Sequence, residues 1–152
     1  MKQLLAVSFL AFATVLDSFS APPPTSAEQL RSEFEAALRA KDTNAIVSLI
    51  YRKGVSEKGK SIDTQEAASM VTHEIVSVQL ASWPTNLPLE NDFKGIHYKP
   101  NLQVIGMINV KFADKQGAVG AQLPYGKTGN AFLMAATVEE KSSLAPTNQP
   151  AK

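Results

Sequence analysis

The hydrophobic rhythm of this chain changes once, near Val76, and that change limits the fold more than any other feature. Upstream, apolar residues recur every three to four positions, which gives an α-helix one buried stripe; downstream they alternate, which gives a strand one buried face. Helices first and strands second make an α+β domain. The expected architecture is N-terminal helices packed on one face of a curved antiparallel sheet of three to four strands.

The first helix opens on a capping-box signature, Thr25 with Glu28 or Ser26 with Gln29, and buries Leu30, Phe34, Ala37 and Leu38. Glu35 stands one turn before Arg39 on the solvent side, placed for an ion pair. Lys41-Asp42-Thr43 ends that helix and caps a shorter one through Ile46, Leu49 and Ile50, which closes near Gly54. A Ser-, Gly- and Lys-rich loop is expected to Ile62. A third helix should start at the Asp63/Glu66 signature, with Ala67, Met70, Val71 and Ile75 as its stripe.

Val76, Val78 and Leu80 then alternate with Ser77, Gln79 and Ala81 in a first strand ending at Trp83-Pro84. The clearest strand is 102–112, with Leu102, Val104, Ile108, Val110 and Phe112 on one face and Gln103, Ile105, Met107, Asn109 and Lys111 on the other. Gly106 in its middle predicts a bulge or bend. Asp114-Lys115-Gln116-Gly117 reads as a hairpin turn into a strand at 118–123, followed by a loop from Pro124 to Gly129. Residues 130–138 alternate as a last strand, an Ala-rich helix being the competing reading.

The chain ends bound the setting. Leu4 to Leu16 is a 13-residue apolar run broken only by Ser8 and Thr14, preceded by Lys2 and followed by small residues and Pro22-Pro23-Pro24. That is a secretory signal peptide, too short for a membrane span of about 20 residues. No stable membrane span is expected after its removal. Ser18 and Ser20 favour cleavage after Ser20, with cleavage after Ala21 as the rival. The domain plan is thus a signal peptide over 1–20, one α+β domain over 21–139 and a disordered tail over 140–152.

Removing the leader takes Lys2 and Asp17 from 15 basic and 14 acidic side chains, so the remainder is almost neutral. The 152-residue chain has no cysteine. It must therefore hold its fold by core packing, and an exported chain of this kind suits a bacterial envelope, periplasmic or secreted. No Asn-x-Ser/Thr site occurs. Arg52, Lys53, Lys58 and Lys60 are interrupted by Glu57 and Asp63, which argues against nucleic-acid binding.

The order of elements, with the helical pair carrying Phe34, Ala37, Asp42, Ile46, Leu49 and Tyr51, resembles the nuclear-transport-factor-2-like superfamily, also called SnoaL-like. The resemblance spans about residues 26–139 and implies a pocket between helices and sheet. It lacks the hairpin between helices two and three, which implies an incomplete cone. It carries over no catalytic residue, because that fold hosts enzymes and binding modules alike.

Candidate chemistry rests on few side chains. Glu74 falls inside the apolar stripe of the predicted third helix, where desolvation would make a carboxylate an acid or base. Residues 84–101 form the longest irregular segment, carrying Glu90, Asp92, Lys94, His97 and Tyr98 beside the only tryptophan, Trp83. Catalytic candidates are thus Glu74, His97 and Asp92; ligand-binding candidates are Trp83 and Tyr98. His73 reads as a solvated surface residue. His73-Glu74 lacks the second histidine of a zinc-protease helix, since Ser77 stands there, so no metal site is expected. Ala121 to Thr128 fits a permissive phosphate-loop pattern, but Pro124 removes a needed N–H, so no nucleotide or other cofactor is expected. Gln116-Gly117-Ala118-Val119-Gly120 misses the cystatin wedge by one position.

Two functions follow. One is a non-enzymatic ligand-binding or protein-interaction module, taking a small apolar ligand or a homodimer partner, with Ile105 and Met107 as apolar residues on the second face of strand 102–112. The other is a small pocket-type hydrolase or isomerase with a carboxylate or histidine base. Sequencing the N-terminus of the exported protein should find Ala21 first; a retained Met1 would remove the leader reading.

Overall fold

The computed structural model of the protein describes residues 22–113 and 119–141. The expected signal peptide over 1–20 and the predicted Asp114–Gly117 turn lie outside the described residues, as does the expected tail over 140–152 apart from Glu140 and Lys141, which end a strand. Helix α1 (Ala27–Ala40) starts where Ser26 accepts a hydrogen bond from the Gln29 N–H, and its stripe of Leu30, Phe34, Ala37 and Leu38 is buried as expected. Glu35 accepts from Arg39 at 2.6 Å and from Arg31 at 2.8 Å. The Arg39 hydrogen bond, with Arg31 adding, holds the Glu35 carboxyl below its usual range. The residues before α1 are tied down rather than a free spacer: Pro24 is buried and its carbonyl accepts from the Phe132 N–H at 2.8 Å.

Helix α2 (Thr43–Ser48) is capped by Asp42, and its end leads directly into a two-residue strand, β1 (Ile50–Tyr51). Helix α3 (Glu57–Met70) begins six residues before the predicted Asp63 start. Ser56 caps it by accepting from the Gly59 N–H, and Lys60 pairs with Glu57 at 2.6 Å. Its first turns bury nothing, so no apolar rhythm marked them; Ala67 is its one buried residue. Val71 and Ile75 do not belong to this helix. Ile75 lies in strand β2 (Glu74–Ala81).

Two further strands, β3 (Asn91–Phe93) and β4 (Ile96–Pro100), occupy the segment expected to be irregular. Lys94 and Gly95 link them at φ 51° and 75°, the positive-φ pair of a two-residue hairpin turn. Then come β5 (Val104–Ala113), β6 (Val119–Thr128), β7 (Ala131–Ala135) and β8 (Thr137–Lys141). The main sheet runs β1-β7-β6-β5-β2, mixed only because β1 lies parallel to β7; a second sheet runs β3-β4-β8. The strands thus exceed the three to four expected, and the predicted last strand divides at Ala136.

Two bulges set the curvature. Between Ile75 and Ser77 the pairing with β5 slips by one residue, so Ile75, Val78 and Leu80 oppose Phe112, Val110 and Ile108 on the helix side. Val76, expected on that face, is 61% exposed instead. The second bulge falls between Val104 and Gly106, as the mid-strand glycine predicted; a Cβ there would meet the Tyr125 ring. The predicted loop 124–129 is strand to Thr128, and only Gly129 of its two glycines has positive φ. Gly126 is required for another reason, since a Cβ would overlap the Gln103 carbonyl oxygen. Pro124 fits because β6 pairs with β7 only from Tyr125 onward.

The core fills the space between helices and sheet, where Leu30, Phe34, Ile46 and Ile108 have no exposure. The two sheets meet at Asn101. Its Nδ2 donates to the carbonyls of Tyr51 and Lys53, its Oδ1 accepts from the Ala136 N–H at 2.9 Å, and its own N–H donates to the Ala136 carbonyl at 2.9 Å. Asn101→Ala strips partners from three backbone groups and should lower the unfolding free energy by about 2–4 kcal/mol in chemical denaturation.

Candidate functional site

The hairpin β3–β4 brings together most of the side chains singled out in the sequence. Asn91 pairs with Tyr98, Asp92 with His97 and Phe93 with Ile96, while β8 sets Glu139 against Tyr98 and Glu140 against His97. Alternation puts Asn91, Phe93, Ile96 and Tyr98 on one face and Asp92, His97 and Glu140 on the other. With Pro88, Leu89, Glu90 and Thr137, residues of the first face line an open groove of about 390 Å³. Phe93 is 58% exposed there, with the Lys94 ammonium 5.1 Å from its ring centre. Trp83 braces the approach: its indole N–H donates to the Leu87 carbonyl at 3.0 Å, and the Leu87 N–H donates to the Pro84 carbonyl at 3.1 Å.

On the other face, His97 Nδ1 stands 3.3 Å from Asp92 Oδ1 and Nε2 stands 3.4 Å from Glu90 Oε2. Lys99 reaches Glu140 at 2.8 Å. That hydrogen bond holds the Glu140 carboxyl below its usual range and raises the Lys99 ammonium.

The helices cover one face of a mixed, largely antiparallel sheet, the α+β architecture read from the change in hydrophobic rhythm. The stub β1 stands where the sequence lacked a hairpin. No family model and no curated protein sequence matches the chain. Among solved structures, it is similar in fold to a protein described as a calcium/calmodulin-dependent protein kinase type II association domain from Thiobacillus denitrificans. That likeness has 12% identity and a TM-score of 0.44, over 79% of this chain and 98% of the other. It is also similar to an engineered nuclear-transport-factor-2-like protein, at 10% identity and a TM-score of 0.42, over 75% of this chain and 96% of that one.

Glu74 stands apart from the hairpin. It opens β2 rather than closing a helix, pairs with Ala113 at the far end of β5, and is exposed. The desolvation that would have made it an acid or base is therefore missing. His73 lies beyond the end of α3 and is exposed, as expected, but its ring also packs on Phe112 with centres 5.3 Å apart. Beside it, Glu66, Met70, Ala121 and Leu123 help line a second groove of about 360 Å³ between α3 and the sheet, which local periodicity did not reveal.

The outer face of the main sheet holds a third groove of about 610 Å³, where Gln79, Asn109 and Gln122 stand in register across three strands. Of the two apolar residues expected on that face, Ile105 is 51% exposed and Met107 is buried. Among the described residues, no group of three His, Asp or Glu side chains is placed to hold a metal ion. The residues of the phosphate-loop pattern, Ala121 to Thr128, lie in β6 rather than in a loop.

One charged pair escaped sequence reasoning. Asp63 sits inside α3 with its side chain 16% exposed, 3.7 Å from Arg52. Burial pushes its carboxyl above the ordinary 3.8, with the Arg52 charge opposing. The folded state thus holds the Asp63 proton more tightly than the unfolded chain. Its contribution is fully present below 3.8 and is lost as pH rises through the folded value. An NMR titration should place the Asp63 midpoint above 3.8, and wild-type stability should fall relative to Asp63→Asn as pH climbs past it.

Proposed function

We propose that this chain is an exported, non-enzymatic interaction module that takes apolar groups of a small ligand or a partner into the groove on the β3–β4 hairpin. The signal-peptide pattern supports export. One observation carries the binding reading: the interior between helices and sheet is filled by Leu30, Phe34, Ile46 and Ile108, while Phe93 is left open to water in a groove with Leu89 and Tyr98. A filled core leaves recognition to the surface, and an exposed aromatic ring beside apolar and polar neighbours is the chemistry of a docking site.

The enzymatic alternative draws on the Asp92–His97 contact, which would orient a histidine base. Glu90 faces the second ring nitrogen, however, so no free nitrogen is presented to a substrate.

Titration of the mature chain with 1-anilinonaphthalene-8-sulfonate, an apolar fluorescent anion, tests the reading. Saturable binding should weaken about five- to tenfold in Phe93→Ser, as loss of a partly exposed aromatic contact implies. Absence of binding, or equal binding by Phe93→Ser, would overturn it.

A further inference from the structure

The face of the hairpin turned away from the groove carries an arrangement that docking does not use. Each ring nitrogen of His97 has a carboxylate oxygen in front of it, Asp92 Oδ1 at 3.3 Å from Nδ1 and Glu90 Oε2 at 3.4 Å from Nε2. A neutral imidazole has one N–H, so its other nitrogen would point a lone pair at a carboxylate. Only the doubly protonated ring donates in both directions.

We infer that His97 is a proton-operated clamp. Its imidazolium ties β3, through Asp92, and the segment entering β3, through Glu90, to β4. Its neutral form can hold only one of them. Glu90 is the member that matters for the groove, because it lies in the groove wall beside Leu89 and Asn91. Release of Glu90 loosens that wall.

The charges around the ring come from every neighbouring element. Asp92 belongs to β3, Glu90 to the segment before it, Glu140 to β8 directly across from His97, and Lys99 to β4 itself. Lys99 keeps Glu140 ionised by a direct hydrogen bond, with the His97 charge adding to the effect. Free carboxylates become neutral only near pH 4, whereas an imidazole titrates between about 5 and 8. The clamp is therefore closed at the acidic end and opens as pH rises.

Exposed ion pairs are individually weak. Here they act on a three-residue strand whose ladder runs to β4 alone, so a small gain is a large fraction of what holds it. The consequence for docking rests on the groove reading above; the clamp does not.

Hydrogen–deuterium exchange on the mature chain, corrected for intrinsic rates, tests the clamp at pH 5.5 and 7.5. Amides of β3 and β4 should be about three- to tenfold better protected at pH 5.5, as two surface ion pairs allow, with β5 unchanged. His97→Gln should abolish the difference, and so should Glu90→Gln combined with Asp92→Asn. Equal wild-type protection at the two pH values, or a difference that survives in His97→Gln, would overturn the clamp. Titrating 1-anilinonaphthalene-8-sulfonate alongside separates the two ideas: a hairpin that tightens without binding the probe at either pH refutes the groove and leaves the clamp standing.

Discussion

A single amide side chain joins parts of this protein that lie 50 and 35 residues from it in sequence. Asn101 gives its two side-chain hydrogens to the carbonyls of Tyr51 and Lys53, and takes the Ala136 N–H in return. These are backbone groups at the places where regular ladders stop: the end of β1 and the crossing from β7 to β8. An unmet backbone group shielded from water costs more than a made hydrogen bond gains, so such places need a dedicated partner. The second sheet hangs from this point. β8 leaves the main sheet at Ala136, β4 pairs with β8 and β3 pairs with β4, so the groove and the histidine face both inherit their position from Asn101.

Packing explains why the recognition surface lies on that appended sheet. The concave face of the main sheet is committed to α1 and α2 through Phe34, Ile46 and their neighbours, and large side chains consume the space where a pocket would sit. A close-packed interior has no room for a ligand without displacing a side chain. The short hairpin has one face against water and no helix to cover it, and that leaves Phe93 exposed. Its reverse face holds acidic and basic groups in cross-strand pairs. One three-residue strand therefore presents an apolar surface on one side and a titratable one on the other.

Much of the main framework was legible in local pattern. The stripe of α1 and the alternation of β5 appear where their spacing put them, because each has many core contacts on one face and solvent on the other. The bulge at Gly106 was legible for a steric reason, the Tyr125 ring lying where a Cβ would be. The start of α3 was not, because its first turns bury no apolar side chain and are held by a serine cap and a Lys60–Glu57 pair. Nor was the hairpin at 91–100: Pro84, Pro88 and Pro100 read as breaks along 84–101, and its turn uses Lys94 at positive φ, a residue that does not announce that conformation. Asp92, His97 and Tyr98 share one hairpin, and their division between its two faces depends on the register that Lys94-Gly95 imposes.

By itself, the sequence determined the three helices, the alternation of the main-sheet strands β2 and β5, much of the main core and the absence of disulfide support. These depend on neighbours within one or two turns of chain, and spacing records them faithfully. Tertiary structure alone decided that Val76 turns outward while Ile75 and Val78 turn in, that Glu74 is solvated, that Asp63 faces Arg52 and that His97 lies between two carboxylates. Each of those outcomes is set by pairing register or by contact across many residues, and a one-residue slip in register reverses a side chain's face without changing any local propensity.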